Sequence, residues 1–90
     1  MVRRATYYFI GIGGIGMSSI AKYLVTNNFK VGGYDLTKSN LTKKLEKRGI
    51  KIVYKDNMEN IPLQFRKKNV IVVYTPAISK EHKQLLFFRN

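Results

Sequence analysis

Apolar and polar positions along the chain switch between two periods, and the switches mark its elements. The run Tyr7-Tyr8-Phe9-Ile10, closed by Gly11, is short, aromatic and uncharged, which predicts a strand inside a parallel sheet. The period then lengthens: Met17, Ile20, Ala21 and Leu24 fall at i, i+3, i+4 and i+7, predicting one helical stripe that ends near Asn27 and Asn28. Lys30 to Tyr34 predicts a second strand, and its Gly32 and Gly33, poor strand formers, imply that something approaches that backbone closely. Ser39 or Asn40 is placed to cap a second helix with Leu41 and Leu45 on one side, Lys43, Lys44, Lys47 and Arg48 facing water, and Gly49 as its stop. Lys51 to Tyr54 predicts a third strand, followed by an Asp56-Asn57 turn and a stretch from Pro62 to Lys68 with room for a helical turn. Val70 to Tyr74, a continuous β-branched run, predicts a fourth strand buried on both faces. Ser79 is then expected to cap a last helix from Lys80, with Leu85, Leu86 and Phe88 as its apolar face and Asn90 inside or just beyond it.

Strands alternating with helices imply right-handed crossovers and a parallel sheet. The expected fold is a Rossmann-like, three-layer α/β domain with strand order 3-2-1-4, the first half of a doubly wound sheet. A fifth strand is expected next, so residues 1–90 are read as a single domain belonging to a longer chain. The length, 90 residues, excludes two domains, and 44% hydrophobic residues suffice for one modest core.

Charge and cysteine content change the picture little. Seventeen Lys and Arg against five Asp and Glu give +12, but the cations are scattered over every segment, and a nucleic-acid footprint needs a coherent positive face. Tyr7, Tyr8, Phe9 and Tyr74 are expected to be buried in strands instead of stacking on bases, so no nucleic-acid partner is expected. With no cysteine, and His82 as the only histidine, disulfides and a protein metal cage are not expected; His82 itself reads as a surface histidine. Arg3 and Arg4 before the stretch Tyr7 to Met17 imitate a secretory leader, but four glycines in that stretch weaken a helical core, and no run approaches the roughly 20 apolar residues of a membrane span. A cytoplasmic location without a membrane partner follows as the expectation.

The chemistry lies in the glycines. Gly11-Ile12-Gly13-Gly14-Ile15-Gly16 matches G-x-G-x-x-G directly after a predicted strand and at the start of a predicted helix, the context that gives the motif meaning. In that reading Gly11 permits the tight turn, Gly13 lets backbone approach a diphosphate, and Gly16 lets the helix pack closely on the strand. The free N–H groups of the first helical turn and its positive dipole end would hold the phosphates; the alternative is a glycine turn without a ligand. Asp35, nineteen residues after Gly16, stands where a carboxylate accepts from ribose hydroxyls, or else caps the following loop. Thr75-Pro76-Ala77 follows the fourth strand at the switch point and should face the same ligand, unless it is only a turn. A Walker loop, paired catalytic carboxylates and a nucleophile with its base are all missing, so the chain by itself reads as a binding module without catalytic residues. A nicotinamide dinucleotide and a nucleotide sugar present the same ribose-diphosphate, and these residues leave both open. A stand-alone NAD(H)-binding Rossmann module is therefore the alternative reading.

Tyr8-Phe9-Ile10-Gly11-Ile12-Gly13-Gly14-Ile15-Gly16-Met17-Ser18 resembles the amino-terminal signature of the Mur ligases, in particular of members that attach the first amino acid of the peptidoglycan stem peptide. The similarity continues through Gly33-Tyr34-Asp35, Leu41-Thr42, Glu59-Asn60 and Val72-Val73-Tyr74-Thr75-Pro76-Ala77-Ile78-Ser79. The resemblance implies a cytoplasmic, three-domain, ATP-dependent ligase of cell-wall biosynthesis, linked through it to cell shape and division. This chain would be its first domain, the one that binds the UDP part of UDP-N-acetylmuramate. It implies that ATP and Mg2+ bind in other domains, with no cofactor in this chain, and that an acyl phosphate of the muramoyl carboxylate is attacked by L-alanine. The remaining ligase domains would be this domain's partners. Position by position, Gly13, Gly14, Ile15, Gly16 and Met17 would offer backbone N–H groups to the diphosphate. Asp35 and its loop would meet the uridine, and Thr75, Pro76, Ala77 and Ile78 would close the other side. Where many members place a histidine after the third strand, this chain has Lys55-Asp56. The related ligase that recycles an intact tripeptide shares such a domain, but its loop usually reads differently.

Overall fold

Thr6–Ile10 forms strand β1, Lys30–Tyr34 β2, Lys51–Val53 β3 and Val70–Val73 β4. All pair in parallel in the order β3-β2-β1-β4, as the alternation of periods predicts. Helices α1 (Ile15–Thr26), α2 (Asn40–Lys47) and α3 (Lys83–Arg89) follow β1, β2 and β4, and 3-10 turns at Met58–Asn60 and Leu63–Phe65 lie between β3 and β4. The computed structural model describes residues 5–67 and 69–89; Arg3, Arg4, Lys68 and Asn90, which carry some of the expectations above, lie outside the described residues.

Successive side chains of a strand point to opposite faces, so β1 feeds two cores. Phe9 enters the face covered by α1 and α2, packed with Met17, Ala21, Leu24, Val31, Leu45 and Ile52. Tyr8 and Ile10 enter the other, with Tyr34, Ile61, Phe65 and Leu85. The Tyr8 hydroxyl donates to Gln84 Oε1 (2.7 Å), and Gln84 Nε2 donates to the carbonyls of Lys55 and Asn57. This buried amide thus finds the partners that burial demands, and it ties α3 to the segment after β3.

Gly32 and Gly33 answer the question their sequence position raises. A Cβ at Gly32 would lie 2.4 Å from the Phe65 ring, and one at Gly33 would lie 2.5 Å from the Phe9 carbonyl oxygen. The close neighbours are thus an aromatic side chain and the next strand, not a ligand.

Several expectations need correction. Strand β4 lies at the sheet edge, so none of its residues is fully buried and Ile71 is 44% exposed. Tyr74, just past it, is likewise 43% exposed. On α2 the inward pair is Thr42 and Leu45, whereas Leu41 is exposed. Thr42 and Ser39 form a reciprocal capping box, with Thr42 N–H donating to Ser39 Oγ and Ser39 N–H donating to Thr42 Oγ1. Helix α3 starts later than predicted because Ser79 only closes a turn, accepting from Glu81 N–H. The donors of its first turn, Lys83 and Gln84 N–H, are instead met by the two oxygens of Asp56, both at 3.0 Å. On α3 it is Gln84 and Leu85 that are buried, while Leu86 faces out.

Candidate functional site

The carboxyl ends of β1, β2 and β4 surround a cavity of about 740 Å³, walled by the glycine loop, the start of α1, the loop after β2 and the loop after β4. That is the switch point of the sheet, between β1's neighbours on either side, where open α/β folds hold their ligands.

The loop's shape follows from its hydrogen bonds. Gly11 has φ +90°, which glycine alone adopts without strain, and the N–H groups of Gly11 and Ile12 both donate to the Tyr34 carbonyl at the end of β2 (2.8 and 2.9 Å). Gly14 N–H turns back to the Gly11 carbonyl, and Ser18 N–H takes the Gly14 carbonyl to begin α1. No side chain caps α1 and no acidic residue stands in its first turn. The N–H groups of Ile15, Gly16 and Met17, which no helix can satisfy internally, are thus left to something outside the helix. Gly14, Gly16 and Met17 line the cavity.

Among the described residues, Asp35 is the one charged residue on the cavity wall. Its Oδ2 accepts from Gly13 N–H at 2.7 Å and its Oδ1 from Thr37 N–H at 3.0 Å. Both sequence-level roles meet here: the carboxylate caps its own loop and also faces the cavity. Opposite, Thr75 Oγ1 accepts from Ala77 N–H, Ile78 N–H donates to the Thr75 carbonyl, and Ile78 Cδ1 would stand 3.3 Å from a Cβ at Gly11.

Of the expected site residues, Gly11, Gly13, Gly14, Gly16, Met17, Asp35, Thr75, Ala77 and Ile78 come together around this cavity. Ile15 and Pro76 are exposed and not part of its wall. Two glycines act differently from the motif's usual reading. A Cβ at Gly16 would meet nothing within 4 Å, so Gly16 does not serve helix-on-strand packing. Gly13 is glycine because a Cβ would press on Asp35 Oδ2 (2.8 Å) and Thr42 Cγ2 (2.9 Å). The wall also includes Ile10, Ile20, Thr37 and Ser39, which sequence reasoning did not assign to the site. Ile20 belongs to the predicted helical stripe, yet at 48% exposure it is the cavity-facing end of that stripe and not core. Thr37 and Ser39 were findable as the first hydroxyl side chains after Asp35 in sequence.

Asp56 lies on the other face of the sheet and outside the cavity wall. Besides capping α3, it stands 3.1 Å from Nδ1 of His82. The His82 side chain is only 10% exposed and its ring packs edge-on against Tyr34 at 4.7 Å, so His82 is not the surface histidine expected. Burial lowers the His82 pKa, with the Asp56 charge opposing. An imidazole that is harder to protonate when folded stabilises the fold above its unfolded pKa of about 6.5, and that contribution is lost as pH falls below it. Unfolding free energy, measured by urea at pH 7.5 and at 5.5, is therefore expected to drop more in the parent than in His82→Gln. Equal drops would show that His82 titrates alike in both states.

Residues 6–89 match the Mur ligase family, catalytic domain. The chain is 54% identical to the UDP-N-acetylmuramate-L-alanine ligase of Cytophaga hutchinsonii over 84 residues, covering 92% of this chain and 18% of that protein. The corresponding ligase of Porphyromonas gingivalis is 48% identical with the same coverage. Among solved structures, the UDP-N-acetylmuramate-alanine ligase of Thermotoga maritima superposes with a TM-score of 0.81 at 30% identity, over 93% of this chain and 18% of that one. A Neisseria ligase acting on UDP-N-acetylmuramate and a tripeptide shares the fold, with a TM-score of 0.79 at 20% identity over 93% of this chain and 25% of that one. The chain thus spans about a fifth of the length of the curated relatives it matches.

Proposed function

The chain belongs to the Mur ligase family, and from that premise we propose that it is the UDP-N-acetylmuramate-binding domain of a ligase that joins L-alanine to that substrate in peptidoglycan synthesis. The observation that carries the reading is the glycine loop: an uncapped helix start opening on a cavity at the sheet's switch point. Backbone N–H groups and a helix dipole hold a diphosphate there without any cationic side chain on the wall. The net charge of +12 adds a long-range field that draws an anionic ligand in.

In this reading the N–H groups of Ile15, Gly16 and Met17 take the diphosphate. Asp35, each of whose oxygens keeps a lone pair after its hydrogen bond to backbone, accepts from ribose hydroxyls. Thr37 and Ser39 add hydroxyls on the uridine side, and Thr75, Ala77 and Ile78 close the opposite wall. Among the described residues no three His, Cys, Asp or Glu side chains gather as metal ligands, and no helix is long and apolar enough to cross a membrane. ATP and Mg2+ would bind in other domains of the parent ligase, where ATP phosphorylates the muramoyl carboxylate and the amine of L-alanine displaces phosphate. The parent enzyme would work in the cytoplasm.

Amide NMR titrations with UDP-N-acetylmuramate, UDP and NADH test the reading. The UDP compounds should shift the Gly14 to Met17, Thr37, Thr75 and Ala77 signals while NADH leaves them in place. A response confined to NADH would make the chain a dinucleotide module instead.

A further inference from the structure

The second glycine of the loop does not offer its N–H to the cavity. It gives it to Asp35 at 2.7 Å, and the same carboxylate holds Thr37 N–H at 3.0 Å. Behind Gly13, the methyl of fully buried Thr42 lies so close that a Cβ would sit 2.9 Å from it. Thr42 is itself fixed by its capping box with Ser39. The glycine loop is therefore seated between a carboxylate at the end of β2 and the first turn of α2. A carboxylate on that N–H also occupies the place where a phosphate oxygen would otherwise bind.

We propose that Asp35 is a positioning residue for the anion site: by holding Gly13 N–H it fixes the loop so that the N–H groups of Ile15, Gly16 and Met17 receive the diphosphate. This rests on the nucleotide-site reading above and adds a role that contact with ribose does not include. The two roles make opposite predictions. If Asp35 only contacts ribose, removing it takes a negative charge away from an anion site, and a diphosphate lacking ribose should bind as well or better. If Asp35 positions the loop, the same ligand should bind worse, because misplacing preorganised donors costs more than relieving the repulsion gains.

The test uses inorganic diphosphate and UDP as probes on the parent, Asp35→Ala and Asp35→Asn, reading the amide spectrum throughout. Asp35→Ala should weaken inorganic diphosphate by about tenfold. Asp35→Asn, whose side-chain oxygen can still accept from Gly13 N–H, should bind it at least as tightly as the parent. Diphosphate binding equal or tighter in Asp35→Ala, with UDP alone weakened, would overturn the positioning role and leave the ribose contact standing. If neither probe moves the Ile15 to Met17 signals of the parent, the nucleotide-site reading fails and this inference falls with it. Unchanged β2 and β3 signals in Asp35→Asn keep the comparison free of a folding defect.

Discussion

Gly33→Val is expected to unfold most of the domain or bring it close to unfolding. Gly33 sits opposite Phe9 in the β1-β2 ladder, and its missing Cβ would fall 2.5 Å from the Phe9 carbonyl oxygen and 3.0 Å from Cδ1 of Ile12. The first of these is backbone, which cannot rotate away as a side chain does. Relief requires β1 and β2 to separate, yet they are held by pairing from Thr6↔Lys30 to Ile10↔Tyr34 and by the Gly11 and Ile12 N–H bonds to Tyr34. Overpacking in a rigid core costs roughly 1–3 kcal/mol, and against a fixed carbonyl about 3 kcal/mol or more is expected. A domain of this size has only about 5–13 kcal/mol to lose. With a urea slope of about 1–3 kcal/mol per molar, the midpoint should fall by at least ~1 M. Gly16→Ala, with nothing within 4 Å of its Cβ, is the internal control and should leave the midpoint unchanged or slightly raised. Equal midpoints for Gly33→Val and the parent would mean that the sheet is not packed as described.

The same pair of glycines shows where sequence reading ends. Two glycines in a predicted strand announce a close approach, but nothing local says what approaches; Phe65 arrives from a 3-10 turn some thirty residues on. Elements and their order were legible because they follow from period and from the handedness of crossovers. The expectation of double burial for β4 is not met in this chain, because a continuous β-branched run reads alike whether one face or both are covered. The start of α3 was misplaced for a related reason. A local serine is the cap that a sequence window can see, whereas Asp56, twenty-seven residues earlier, supplies the acceptor. In the site, the motif located the loop correctly, but the roles of Gly13 and Gly16 depended on what stands beside each Cβ. For Gly13 that is Asp35 and Thr42, both beyond the motif.

Gly14 is a glycine that the fold does not require and that, in the proposed reading, the ligand does. Its φ of −63° and ψ of 152° suit any residue, and a Cβ there would meet only ordinary contacts, the nearest being the Gly11 carbonyl at 3.5 Å. Gly14→Val should therefore keep its unfolding free energy within the roughly ±0.5 kcal/mol usual for surface substitutions. Gly14 is, however, exposed on the cavity wall and N-terminal to the free donors of α1. A branched side chain there stands over the approach to those N–H groups and pushes the phosphates away from them. Losing one or two charge-assisted hydrogen bonds, each contributing about 1.5–3 kcal/mol, weakens UDP binding by about tenfold or more. Calorimetry or amide titration of the variant beside the parent reads the affinity, and urea unfolding of the same samples reads the fold. Undiminished UDP binding in a folded Gly14→Val would place the diphosphate away from this loop. A lowered midpoint would instead show that the turn at Gly14 is less tolerant than its dihedral angles indicate. Intact folding with lost binding is the combination that separates a glycine kept for a ligand from one, like Gly33, kept for the sheet.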